Sequence, residues 1–170
     1  RSGWLVLVIQ QTLKAYKLKR PVWLNESGAD VWDDYPGPTW ESDPSRRLLR
    51  VTEDQQAYFF IQSSVYAWAQ GADVVFFHQL FDDCGNQPAG TDFPAHDGEL
   101  CTDDGLCFGD AFGLYRNERG SVCFSQHPQP GTARPVADAY QLVADIFGTG
   151  ELDNPLIQTL DNKAIAISFD

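Results

Sequence analysis

Glu26 is set apart among the residues able to do chemistry by where it sits. Val22, Trp23 and Leu24 form a short apolar run, and Asn25-Glu26-Ser27-Gly28 follow at once. Continuous apolar character suits a strand of a parallel sheet covered on both faces, with Pro21 opening it and Gly28 closing it. A carboxylate at the end of such a strand costs free energy to bury unless it is paired or used. The C-terminal strand ends of a parallel barrel are where catalytic side chains gather. Glu26 thus has two readings: a reactive carboxylate, or one that caps a turn or pairs with an arginine.

Four cysteines, Cys84, Cys101, Cys107 and Cys123, fall in one polar stretch rich in Gly and Pro. An even number clustered in this way favours two disulfides and an oxidising compartment. A zinc site is the alternative, but no Cys-x-x-Cys pair occurs and the spacings are wide. All three pairings are open. The same stretch carries Asp92, Asp97, Glu99, Asp103, Asp104 and Asp110, oxygen donors of the kind hard cations prefer. No EF-hand spacing is present, so a solvated acidic wall is the reading adopted. His96 and His127 lie in polar loops and read as solvated. Neither a metal nor a cofactor is expected.

The elements that must position these groups are legible in outline. Leu5, Val8, Ile9, Thr12, Leu13 and Tyr16 recur at helical spacing, and the helix they predict runs into Lys17, Lys19 and Arg20 and stops before Pro21. A long segment from Ala29 to Arg50 carries Trp32, Tyr35 and Trp40 among four Asp and three Pro. Thr52 and Gln55 then form a capping-box signature. The helix it opens turns Ala57, Phe60, Ile61, Val65 and Trp68 to the core and has Gly71 at its C′ position. Asp73 to Phe81 reads as a second buried strand, ending in Asp82 and Asp83. After a short Phe112–Tyr115 segment and a turn at Asn117–Gly120, Pro135 suits the first turn of a third helix. That helix has Val136, Ala139, Tyr140, Val143, Ile146 and Phe147 on one face and ends at Gly148. Lys163 to Phe169 alternates as a strand with no partner in view. Strands alternating with helices imply a parallel α/β sheet, and two strands alone leave its edges and faces open. The chain therefore reads as beginning inside one repeat and ending after another begins.

Composition excludes several classes. Twelve basic against 24 acidic residues give a formal charge of −12, which argues against nucleic acid as a partner and against anionic membrane surfaces. No apolar run reaches the length of a membrane span, and no signal peptide is visible.

The run Pro21-Val22-Trp23-Leu24-Asn25-Glu26-Ser27-Gly28 resembles the seventh strand of retaining (β/α)8-barrel glycoside hydrolases, the large clan that includes cellulases and β-xylosidases. Asp54-Gln55-Gln56-Ala57, Gly71-Ala72-Asp73 leading into Val74–Leu80, Phe112-Gly113-Leu114 and Arg134-Pro135 with Ala139-Tyr140 follow in the order of that clan's last repeats. The resemblance spans roughly residues 4 to 148, from about the sixth helix to the eighth. It implies the C-terminal portion of a (β/α)8 TIM barrel, with a disulfide-containing loop after the last strand. On this reading residues 1–148 belong to the barrel, and 149–170 are a linker and the start of a C-terminal β region.

What the resemblance implies for function is specific. The residue matching the clan's nucleophile is Glu26, and Asn25 precedes it. The Asn-Glu pair also resembles the clan's fourth strand, but about four more βα units would then follow, and only one does. Retaining hydrolysis needs a second carboxylate about 5–5.5 Å from the nucleophile. The clan draws it from an earlier strand, and no second Asn-Glu occurs here. Glu41, Asp82, Asp83 and Glu99 are substitutes that match no motif. This chain alone is therefore expected to be inactive, its partners being the remaining N-terminal part of the barrel and a carbohydrate substrate. Strand alternation puts His78 and Gln79 on opposite sides, so that one could hydrogen-bond a sugar hydroxyl; a buried, satisfied histidine is the alternative. Trp32 and Trp40 could stack on pyranose rings or plug the barrel mouth, and Trp23 reads as core. An extracellular or cell-surface location follows from the cysteines. The competing reading is a carbohydrate-binding or cell-surface protein on a degenerate barrel without catalysis.

Overall fold

A computed structural model describes residues 2–34, 50–82, 111–116, 129–148, 155–160 and 164–169. The expectations for Tyr35, Trp40, Glu41, Asp83, Glu99, His96, His127, the acidic stretch and all four cysteines lie outside the described residues. The described elements are α1 (Ser2–Ala15), β1 (Trp23–Ser27), α2 (Glu53–Ala69), β2 (Val74–Phe77), α3 (Pro135–Phe147), β3 (Leu156–Thr159) and β4 (Ile165–Ser168). They divide into two compact units, the first of residues 1–27, 59–77 and 140–170 and the second of residues 28–58 and 78–139.

In the first unit β1 and β2 pair in parallel, Trp23 opposite Val74 and Leu24 opposite Val75. Two backbone-directed bonds hold the start of the pair. The Asp73 N–H donates to the Val22 carbonyl at 2.8 Å, and the Val22 N–H donates to Asp73 Oδ2 at 2.7 Å. Val6 of α1, Val22, Ala67 of α2 and Ala72 form the buried cluster, with Leu13, Leu24, Trp68 and Val75 packed against it.

Helices α1 and α2 close in the same way. Leu18 N–H reaches back to the Leu13 carbonyl and Lys17 N–H to that of Lys14, with Lys17 at φ 53°. Ala72 and Gly71 repeat the pattern on Ala67 and Trp68, with Gly71 at φ 91°. This paired closure satisfies carbonyls that the helix leaves without partners. The expected C′ role of Gly71 is thus observed, whereas α1 ends at Ala15, before the basic residues expected to extend it. The capping box of α2 is also present: Gln55 N–H donates to Thr52 Oγ1 at 3.2 Å, and Thr52 N–H donates to Gln55 Oε1 at 3.0 Å.

Several burial expectations need correction. In α1 the buried residues are Gly3 and Val6, while Leu5, Val8, Ile9 and Tyr16 are exposed; the apolar stripe is wider than the face the described residues cover. Trp23 is not core. It is 61% exposed and stands beside Phe76, 45% exposed, at a ring separation of 6.0 Å, because no described element covers that face of the sheet. In α3 Val136, Ala139 and Val143 are buried, but Tyr140 and Ile146 are exposed. The tail strand has a partner: β3 pairs antiparallel with β4, Leu156 opposite Ser168 through Thr159 opposite Ile165. Phe169 after β4 meets Phe147 at 5.7 Å.

The second unit is built from isolated bridges. Val31 bridges to Val51 and Ala111, and Tyr115 to Phe81 and Ala133. The buried Gln56 amide nitrogen lies within hydrogen-bond distance of the carbonyls of Ala29, Ala111 and Phe112, adding to the Val31 N–H bond that Ala111 accepts.

Candidate functional site

Glu26 lies at the C-terminal end of β1, in the first unit. Leu24 is opposite Val75 and Ser27 opposite Phe77, so Asn25 and Glu26 together face the single residue Phe76. This is a β-bulge, a device that bends a strand and re-aims a side chain. Glu26 adopts φ 60°, the left-handed region that side chains other than Gly, Asn and Asp seldom occupy. Its side chain and that of Asn25 are exposed.

The next residue is anchored. Ser27 is buried and its hydroxyl donates to Ser63 Oγ of α2 at 3.3 Å, while Ser63 donates to the Phe60 carbonyl at 3.2 Å. The bulge is thereby held between the Leu24–Val75 pairing on one side and a helix-anchored serine on the other. An exposed carboxylate on a strained, doubly anchored turn can act as a nucleophile or an acceptor for a ligand hydroxyl.

The other expected residues fall in the second unit. Trp32 is half-buried, its backbone N–H donating to the Val51 carbonyl at 2.9 Å. His78 is half-buried, with its ring edge-on to Phe112 at 5.4 Å. β2 ends at Phe77, so strand alternation does not extend to His78 and Gln79; the peptide bond joining them is cis. The Gln79 carbonyl accepts from Leu114 N–H at 2.9 Å. The His78 carbonyl oxygen passes so close to Gly28 that an added Cβ would overlap it. That approach explains the glycine.

Sequence reasoning missed an ionic cluster in this unit. Arg134, with its side chain 0% exposed, donates to Asp34 Oδ2 at 2.9 Å, to both oxygens of Asp82 at 2.6 and 2.8 Å, and to the Gly113 carbonyl at 3.0 Å. Arg116 donates to the same Asp34 oxygen at 2.7 Å, to Glu53 Oε1 at 2.6 Å, and to Thr132 and the Ala133 carbonyl. Asp82 also accepts the Gly113 N–H at 2.9 Å, so it is committed as a structural acceptor and is a poor candidate for a second catalytic carboxylate. A second ion pair joins Arg50 to Asp30 at 2.6 Å, and Asp30 accepts the Ala111 N–H. Burial of the Arg134 guanidinium opposes its charge, but the bonds and charges of Asp82 and Asp34 outweigh this and hold it above its ordinary value. Glu53 is also pushed up, by burial first and then by Asp34, against the pull of Arg116 and Arg134. The dipeptide Arg134-Pro135 was the one local trace of this cluster.

The first unit also has a cavity of about 700 Å³, bounded by Gly3, Phe59, Tyr66 and Ile167 among others. Among the described residues its lining holds no carboxylate, imidazole or ammonium group. Among the described residues no cluster of three or more metal-ligating side chains occurs, and no helix is long and apolar enough to cross a membrane. No protein-family model, curated protein or solved structure matches the chain.

Proposed function

We propose that this chain is the C-terminal portion of a retaining glycoside hydrolase barrel, with Glu26 as the nucleophile. The observation that carries the reading is the conformation of Glu26, an exposed carboxylate held at φ 60° on a bulge at the C-terminal end of a parallel strand. Strained backbone of this kind gathers at functional sites. Ionised Glu26 attacks the anomeric carbon as the glycosidic C–O bond breaks, and the departing oxygen takes a proton from a second carboxylic acid. Water, giving its proton to that same carboxylate, then opens the glycosyl ester and frees Glu26. The second carboxylate is assigned to an earlier barrel strand outside this chain. Asn25, Trp32, Trp40, His78 and Gln79 keep in this proposal the sugar-contacting roles implied by the resemblance. No cofactor is required, and the protein is assigned to the cell exterior or surface.

The test is peptide mass spectrometry after incubation of the full-length protein with activated 2-deoxy-2-fluoro glycosides, which accumulate the glycosyl-enzyme. A label on the peptide carrying Glu26, absent in Glu26→Gln, is the expected result. Absence of any label across a broad sugar panel, with glycan binding retained in Glu26→Gln, would overturn catalysis in favour of a binding protein.

A further inference from the structure

One tripeptide of the chain carries a chemistry that glycoside hydrolysis does not use. Asn25-Glu26-Ser27 has the spacing Asn-x-Ser with x other than Pro. No other asparagine, whether Asn86, Asn117, Asn154 or Asn162, is followed two positions on by Ser or Thr. That spacing is the acceptor signature for N-linked glycans in secreted proteins, and it requires the asparagine amide and the hydroxyl to be presented together. In a regular strand residues i and i+2 share a face. Here the bulge separates them: Asn25 is exposed, whereas Ser27 is buried and its hydroxyl donates to Ser63 Oγ. The folded strand end is therefore closed as an acceptor, while the asparagine itself stands in solvent among the described residues.

The order of synthesis leaves time for the reaction. Ser63 lies 36 residues after Ser27, and β2, the partner of β1, comes later still. At about 5–20 residues per second, about 2–7 s pass before the Ser27 hydroxyl can meet its partner. We propose that Asn25 is an N-glycosylation acceptor, modified before Ser27 docks on α2, and that the glycan it then carries covers Glu26. In the transfer Asn25 Nδ2 attacks the anomeric carbon of a polyprenyl-diphosphate oligosaccharide. The N–C bond forms as the C–O bond to the diphosphate breaks, the amide gives up one proton, and the polyprenyl diphosphate leaves. An exposed Asn25 lets the modified chain fold. Asn25 and Glu26 together face Phe76 across the bulge, so a bulky oligosaccharide on the first stands before the second. Two folded forms result, one open at Glu26 and one shielded. The acceptor rests on the cell-exterior placement proposed above; it does not require Glu26 to be a nucleophile.

The test is secretion of the full-length protein from a eukaryotic host, with a reference Asn-x-Thr site in an appended tag to report passage through the glycosylating compartment. Peptide N-glycosidase in heavy-oxygen water converts a glycosylated asparagine to labelled aspartate, which peptide mass spectrometry locates. The expected result is label at Asn25 as well as in the tag, with one glycan fewer per chain in Asn25→Gln. Label in the tag alone would overturn the proposal. Shielding is read by lectin separation of the two forms and carbodiimide coupling of glycine ethyl ester to exposed carboxylates. Coupling at Glu26 should be lost in the glycosylated form and retained in the other and in Asn25→Gln. Asp73, exposed at the opposite end of the β1–β2 pair, should couple equally in all three. Equal coupling at Glu26 in both forms would overturn the shielding. None of these readouts needs hydrolysis, so a glycan at Asn25 with no fluoroglycoside label on either form would uphold the acceptor and remove the nucleophile.

Discussion

Replacing Arg134 with Met removes the charge at the centre of the ionic cluster while keeping a long side chain. Arg134 makes four hydrogen bonds, to Asp34, twice to Asp82 and to the Gly113 carbonyl. After the change Asp82 retains only the Gly113 N–H among its described partners, while Asp34 retains Arg116. Removing one partner of a buried pair costs about 3–5 kcal/mol, mostly as the penalty of the charge left behind. The surviving bonds and the 14% exposure of Asp82 place Arg134→Met toward the lower end of that range. Against a total stability of about 5–15 kcal/mol for a natural domain, the loss is severe. Urea unfolding followed by tryptophan fluorescence and by far-ultraviolet circular dichroism should show the midpoint falling by more than about 1 M, given slopes of about 1–3 kcal/mol/M. Arg134→Lys keeps the charge but not the planar fork, and should recover only part of the loss. A loss below about 1 kcal/mol for Arg134→Met would refute the view that this cluster holds the second unit together.

Two further changes probe the strand ends. Gly28→Ala sets a methyl group against the His78 carbonyl, a backbone atom that cannot rotate away, and should cost about 1–3 kcal/mol in the same urea assay; an unchanged midpoint would show that the two backbones separate easily. Glu26→Asn places at φ 60° a residue that tolerates left-handed backbone better than Glu. It should raise stability by up to about 1 kcal/mol while abolishing labelling by fluoroglycosides, and a fall in stability would mean that the Glu26 side chain, rather than its backbone, is what the fold uses.

What was legible in the sequence was local. The α2 capping box needs only Thr52 and Gln55, its closure only Gly71, and the α3 start only Pro135. Glu26 announced itself because a carboxylate follows an apolar run, yet its bulge and left-handed backbone depend on pairing with β2 and on Ser63 of α2, which nothing near residue 26 encodes. The burial of Trp23 was misread because continuous apolar character implies cover on both faces, and the described residues supply it on one. β3 escaped notice because Leu156–Thr159 is short and half polar. The ionic cluster left almost no trace, since Asp34 and Arg134 lie 100 residues apart and a loop aspartate looks the same whether solvated or bonded to a buried guanidinium.

The bonds between residues that flank long stretches of sequence have an evolutionary consequence. The described residues flanking 35–49 are joined by the Trp32–Val51 backbone bond and the Arg50–Asp30 ion pair. Those flanking 83–110 are joined by Asp82 to Gly113, and those flanking 117–128 by Arg116 to Thr132. Each of these pairings is made by described residues alone. A lineage could therefore change what lies between a pair of flanks and still keep the bonds that the flanks make with each other.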